Sequence, residues 1–197
     1  MGSGVKRALV IALAAVVLAV AAAAAYYYGR IAPLIEAGKK QGTFSAESSR
    51  PSVAAFGFAA EDGTHRTIRD LKGRVVVVDV WASWCVTCIA SIPEVVSLHK
   101  KYVGQPIEII GLNVDDEQWD KIKPFLKRFP EINYTIAVPS PAPSFLLQSI
   151  VDLSPLGKVS AIPTVFVIDK QGRLAGKFIE LGHAQDIDDL VSRLLAE

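Results

Sequence analysis

The chain has 197 residues, 51% of them hydrophobic, with 21 Lys+Arg against 20 Asp+Glu and two cysteines. A net charge of +1 gives no electrostatic case for nucleic acid, and two cysteines make neither a multi-bridge secreted scaffold nor, by themselves, a four-thiolate zinc site. The length fits one domain plus an appendage, and a mean hydropathy of +0.33 in a chain with 21% charged residues asks where the apolar residues are concentrated.

They gather at the start. Residues 8–28 are 21 consecutive uncharged positions, and a helix of that length spans ~30 Å of hydrocarbon. Lys6 and Arg7 precede the run and Tyr26, Tyr27 and Tyr28 close it, where rings can sit half in lipid with their hydroxyls in water. A cleavable signal peptide is the alternative, because the alanines at 21–25 offer cleavage sites. Its apolar region would be ~7–15 residues, shorter than this one. The expectation is therefore an uncleaved transmembrane anchor over 1–28. No cysteine lies near it to carry a lipid, and the first residues lack the Ser/Thr of a myristoylation site. Lys6 and Arg7 are nearly balanced by Arg30, Lys39 and Lys40 beyond the run. The default orientation is a cytoplasmic N-terminus and an exported domain: single-pass in the cell inner membrane, with the C-terminal part on the periplasmic side.

Residues 29–51 read as a flexible linker, with Gly29, Gly38, Gly42, Ser45, Ser48 and Ser49 and no sustained period. From 52 to 197 strands and helices alternate. Two short strands are expected around the turn dipeptide Asp62-Gly63. The β-branched run 75–81 predicts a strand buried on both faces. A helix follows from Cys85 to about Tyr102, interrupted by Pro93. A second buried strand is predicted at 107–114, and Asp115 or Asp116 can cap the next helix, to about Arg128. Another strand is expected at 134–138, then the proline-rich segment 139–143 and a short helix over 144–151. The strand 164–169 reverses at Lys170-Gln171-Gly172 into an antiparallel strand over 173–178. The last element, 184–197, is an amphipathic helix with Ile187, Leu190, Val191, Leu194 and Leu195 at helical spacing. A β-α-β half followed by a β-β-α half predicts an α/β fold, a mixed central sheet flanked by helices.

Both cysteines lie where a buried strand hands over to a helix, in Trp84-Cys85-Val86-Thr87-Cys88. At i and i+3 on the first turn they can close a small disulfide. The helix N-terminus favours a thiolate at Cys85, the species that attacks disulfides, and Cys88, further in, would resolve the mixed disulfide. Half of a metal site and an inert structural disulfide remain the alternatives to this reading. No second cysteine pair is present and the histidines are His65, His99 and His183, so a closed zinc site is not expected.

The run from Val77 to Cys88 resembles the active-site signature of the thioredoxin superfamily, and Ile162-Pro163-Thr164 resembles that family's cis-proline loop. The Asp-Gly hairpin, Leu71-Lys72-Gly73-Arg74, Gly111-Leu112-Asn113-Val114-Asp115 and Ile168-Asp169 with Gly172 are similar to the membrane-anchored TlpA/ResA-type thiol–disulfide oxidoreductases, as is the anchor. The resemblance implies a thioredoxin-like fold in which Ile162 pairs through its backbone with an extended substrate, beside Trp84, Val86 and Thr87. It implies that Pro163 keeps metals and bulky groups off the thiols. Asp79 interrupts the apolar strand where thioredoxin keeps a buried acid. Desolvation would raise its pKa and let it act as base for Cys88. Thioredoxin's lysine partner for that acid would fall at Gly111. Two departures stand out: Thr87 replaces the usual proline and Ser91 a frequent glutamate.

The function implied is a membrane-tethered protein-disulfide reductase acting on exported proteins, with Cys85 as nucleophile, Cys88 as resolving thiol and Asp79 moving the proton. No cofactor motif is present and no metal is called for, so a membrane electron donor of the Dsb type is expected. By analogy, apocytochrome c or the copper-site cysteines of an oxidase subunit are the substrates. The competing reading is a non-enzymatic copper-holding assembly module on the same fold. It would be expected to carry C-x-x-x-C with a histidine where Pro163 stands.

Overall fold

Strand pairing around the 75–81 run organises most of the molecule. The structure, a computed structural model, describes residues 3–26, 28–29, 42–116, 118–142, 144–147 and 150–197. The chain divides into two compact units, Met1–Lys40 and Gln41–Glu197. In the first, α1 (Ser3–Tyr26) is a 24-residue helix whose side chains are described from residue 12. Leu13, Val16, Val17, Leu18 and Val20 are exposed on it. Among the described residues no helix is long and apolar enough to cross a membrane; the uncharged run begins at Ala8, ahead of the described side chains.

The second unit contains β1 (Thr43–Phe44), β2 (Gly57–Ala59), β3 (His65–Thr67), β4 (Val75–Trp81), α2 (Val86–Lys101), β5 (Ile107–Asn113), α3 (Gln118–Arg128) and β6 (Thr135–Pro139). It continues through β7 (Ser144–Leu147), β8 (Ile150–Asp152), β9 (Lys158–Val159), β10 (Thr164–Ile168), β11 (Leu174–Ile179) and α4 (Ala184–Ala196). The main sheet has the order β1-β11-β10-β4-β5-β6-β2-β3. β4, β5 and β6 run parallel and the remaining pairs are antiparallel, the mixed sheet the sequence predicts. The β2–β3 hairpin turns at Asp62-Gly63, where Gly63 takes φ +80° and the Thr64 N–H donates to Asp62 Oδ1 at 2.9 Å.

All seven residues of β4 are buried, as a strand covered on both faces requires. Alternate residues feed two apolar clusters. Val76, Val78 and Val80 pack in one with Cys85, Cys88, Ile92 and Phe166. Val75 and Val77 pack in the other with Phe178 and the α4 residues Ile187, Leu190, Val191 and Leu194. The amphipathic spacing of α4 thus buries the face expected of it.

Two segments differ from their local sequence character. Residues 144–147 and 150–152 form strands in a separate sheet of order β7-β8-β9, where a short helix is predicted; Gln148 and Ser149 lie outside the described residues. β8 pairs with β9 as well as β7, and pairing with a distant strand overrides the weak intrinsic preference of a short segment. Residues 43–50 read as linker in composition, yet β1 pairs with β11. Arg50 bonds Asp169 at 3.2 Å and Glu197 at 2.8 Å.

Candidate redox site

β4 ends at Trp81, and after Ala82, Ser83 and Trp84 the chain enters α2 with Cys85 as its N-cap. Cys85 Sγ accepts the Cys88 N–H at 3.1 Å, so a sulfur takes the role usually filled by a capping oxygen. The two cysteines are joined in a disulfide, with Cα atoms 5.2 Å apart. Both are buried, while Trp84 and Val86 on either side of Cys85 are 71% and 79% exposed. Thr87 Oγ1 lies 3.3 Å from Cys85 Sγ and 3.4 Å from the Ile162 carbonyl oxygen. Its one hydroxyl proton can serve either. That carbonyl lies 3.7 Å from Cys85 Sγ.

The Ile162–Pro163 peptide is cis. Two bonds hold its loop: Thr164 Oγ1 donates to the Ala161 carbonyl at 2.6 Å, and the Glu180 N–H donates to the Pro163 carbonyl at 2.8 Å. Cys85, Cys88, Thr87, Ile162 and Pro163, separated by more than 70 positions in the chain, therefore converge.

Asp79 sits inside β4, paired with Gly111 of β5 on one side and Val165 of β10 on the other. Its carboxyl is buried, Oδ1 has no hydrogen-bond partner among the described residues, and burial pushes its pKa up to about 7. The register puts Gly111 opposite it, the place the family resemblance indicates. A Cβ on Gly111 would come within 2.8 Å of Ile136 Cδ1, 2.9 Å of Tyr134 Cε2 and 3.2 Å of Trp81 Nε1. The missing side chain leaves room for the Tyr134 ring, and no cation stands at that position. The Tyr134 hydroxyl is pushed up by burial and secondarily by the Asp79 charge. Asp79, Ser91 and Pro163 line one cleft of about 430 Å³ between α2 and the start of α4. Asp79 thus meets the cis-proline loop through a cavity.

Sequence reading missed one bracing group. Asp115, considered there as a helix cap, is buried and turned the other way. Its Oδ2 accepts the Ser83 N–H at 3.0 Å and the Asn113 side-chain amide at 2.9 Å. The Asn113 oxygen accepts the Asp115 N–H at 2.9 Å. The Gln118 N–H at the start of α3 takes the Asp115 backbone carbonyl instead. The available signal was Asn-x-Asp at the C-terminal end of β5: parallel pairing of Trp81 with Asn113 brings that end beside the turn into Cys85. Among the described residues no group of three or more His, Cys, Asp or Glu side chains could hold a metal ion.

A C-x-x-C disulfide at the start of a helix after a buried strand, faced by a cis-proline loop on a mixed sheet, defines a thioredoxin-like protein. A family model described as Redoxin matches residues 41–193, so the chain belongs to the Redoxin family. A thiol-disulfide oxidoreductase ResA of Bacillus cereus is 29% identical over 118 residues, covering 60% of this chain and 62% of that protein. The chloroplastic protein SUPPRESSOR OF QUENCHING 1 of Arabidopsis thaliana is 27% identical over 131 residues, covering 64% of this chain and 12% of that one. Both matches span less than two thirds of the relative's own length. The crystal structure of a DsbF homologue from Corynebacterium diphtheriae superposes with a TM-score of 0.61 at 26% identity, covering 80% of this chain and 95% of that chain.

Proposed function

We propose that this chain is a thiol–disulfide oxidoreductase that reduces disulfides of exported proteins while tethered to a membrane. The observation that carries the chemistry is Cys85 as N-cap of α2. Its sulfur accepts the Cys88 N–H, lies 3.3 Å from the Thr87 hydroxyl and forms a disulfide with Cys88. Donors aimed at the sulfur and the positive end of the helix stabilise a thiolate there. In the reduced protein Cys85 attacks a substrate disulfide, forming a mixed disulfide and releasing one substrate thiolate. Asp79 takes the proton of Cys88, whose thiolate displaces the second substrate sulfur from Cys85. The Cys85–Cys88 disulfide forms and the substrate leaves reduced by two electrons. The Ile162 backbone pairs with the extended substrate, Pro163 closes over the thiols, and Trp84, Val86 and Thr87 offer the exposed contact surface.

The reductase direction is supported by what surrounds Cys85. Val86 and Thr87 supply no cation, and strong oxidants owe their potential to an unusually stabilised reduced thiolate. The couple is therefore expected at about −250 mV or below, against about −120 mV for a strong oxidant. A Dsb-type membrane electron donor regenerates the dithiol. Substrates are the haem-attachment cysteines of an apocytochrome c or the copper-site cysteines of an oxidase subunit. Tethering is supported by the 21 uncharged residues at 8–28 and by the exposed leucines and valines of α1. The exported side, in the bacterial case the periplasm, is where such disulfides form.

The test is to express the full chain with Cys88→Ser. Substrates should accumulate as mixed disulfides on Cys85 in the membrane fraction, while the unaltered chain reduces insulin disulfides. No captured partner together with no insulin reduction would overturn the proposal.

A further inference from the structure

Asp79 and His183 both line the cleft between α2 and α4, and among the described residues neither Asp79 Oδ1 nor His183 Nε2, both buried, has a hydrogen-bond partner. His183 is 4% exposed and stands at the N-cap of α4. Its Nδ1 lies 3.3 Å from Asp186 Oδ2. A carboxylate can only accept, so in the neutral ring the proton sits on Nδ1 and Nε2 carries a lone pair. Asp186 is exposed. The imidazole of this cleft-lining residue thus has one nitrogen buried and unpartnered and the other on a carboxylate in contact with solvent.

The sheet sets the distance between the two groups. Asp79, Val165 and Phe178 stand side by side on β4, β10 and β11, two strand spacings or about 10 Å end to end. The His183 ring packs 5.5 Å from the Phe178 ring. That span runs from Asp79 to Phe178, and no direct hydrogen bond joins Asp79 to His183 beyond it, but a cleft of about 430 Å³ has room for on the order of ten waters at ~30 Å³ each. The other charged groups facing it are already satisfied. Lys101 of α2 is held by Asp188 of α4 at 2.6 Å, and Glu94 of α2 and Glu180 before α4 are exposed. Glu180, at φ +68°, and Gly182, at φ +96°, shape the turn that places His183. The Glu180 N–H bond to the Pro163 carbonyl ties that turn to the redox loop.

We propose that His183, oriented by Asp186, is a proton relay that carries the proton taken up by Asp79 across this cleft to solvent. The proposal rests on the oxidoreductase reading. Cys88 gives its proton to Asp79 and, as thiolate, forms the bond to Cys85 while the Cys85–substrate bond breaks. The proton on Asp79 then passes through cleft water to His183 Nε2, and Nδ1 releases one to Asp186 and solvent. The substrate thiolate takes its own proton from solvent, so the protons balance. His183 touches no reacting sulfur; it acts through Asp79.

The experiment is single-turnover oxidation of the reduced full chain by oxidised glutathione, resolving mixed-disulfide formation from the second, Cys88-dependent step. At pH 6 most Asp79 is protonated, its pKa lying near 7, and the second step must wait for that proton. At pH 8.5 it has already left. His183→Gln, which keeps hydrogen bonding but cannot exchange a proton, should slow the second step about tenfold at pH 6. It should leave the first step and the pH 8.5 rate unchanged, and free imidazole should restore the loss. Asp186→Asn, at an exposed position, should show the same pH-dependent slowing to a smaller degree. Equal slowing at both pH values, no slowing, or slowing that imidazole does not relieve would overturn the relay. Absence of any cysteine-dependent turnover in the unaltered chain would instead overturn the oxidoreductase reading.

Discussion

Thr87 stands where the family usually has proline, and its hydroxyl does what a proline ring cannot: it can donate toward Cys85 Sγ at 3.3 Å. A hydrogen bond to a charged group contributes roughly 1.5–3 kcal/mol, reduced here because Thr87 is exposed and shares its proton with the Ile162 carbonyl. Thr87→Val keeps the shape and removes the donor. The reduced protein should then react with iodoacetamide about threefold to tenfold more slowly at pH 7, as mass spectrometry of the alkylated Cys85 would measure. Asp79 carries a pH signature of stability. Its folded pKa of about 7 exceeds the ~3.9 of an unfolded aspartate, so between those values the folded chain binds more protons. Raising the pH from about 4 to about 7 therefore favours unfolding, on the order of 3–4 kcal/mol in total. With the disulfide kept oxidised, thermal melts of the unaltered chain should fall across that window, and melts of Asp79→Asn should stay nearly flat.

At the scale of elements, the redox site is the meeting of a strand end, a helix start and a loop, and its precision depends on groups that never touch substrate. Asp115 is the clearest of these, since the Ser83 N–H and the Asn113 amide both rely on it. Asp115→Ala strands the buried Asn113 amide and the half-buried Ser83 N–H, which costs about 1–3 kcal/mol. Denaturant titration should show a lower midpoint, and insulin reduction should slow because the turn into Cys85 loses its brace. Gly111 is a counterpart on the same strand, where an absent side chain admits the Tyr134 ring beside Asp79. The register Asp79–Gly111 makes that glycine a determinant of the acid's surroundings.

Across the whole second unit, the segment before the first long strand and the end of the last helix are held together by charge. The Arg50 side chain is 8% exposed and bridges Asp169, itself 1% exposed, to Glu197. Asp169 also accepts Arg173 Nε at 2.8 Å and two backbone N–H groups, so it is not orphaned if Arg50 is lost. Arg50→Ala in the full chain should therefore cost about 2 kcal/mol, below the ~3–5 kcal/mol of a buried pair left with an uncompensated charge. In a domain of this size that lowers the melting temperature by about 5 °C, readable by circular dichroism.

Much of this protein was legible in its residues. The β-branched run of β4, the 3.6-residue period of α4, the Asp62-Gly63 turn and the C-x-x-C motif are local patterns. Backbone conformation and the burial of one face follow from them directly. The pairing of Ile162-Pro163 with Cys85 was legible only through family resemblance, because nothing in spacing alone links positions so far apart. What only the tertiary structure decided is everything set by strand neighbours. Residues 144–147 and 150–152 became strands by pairing with each other and, from 150–152, with β9; Thr43 and Phe44 joined the sheet through β11 while Arg50 docked on Asp169, and Asp115 turned toward Ser83. Asp79 and His183 came to share a cleft because β10 and β11 lie between them. Each depends on which distant backbone supplies the hydrogen bonds, and a sequence specifies that only through the fold as a whole.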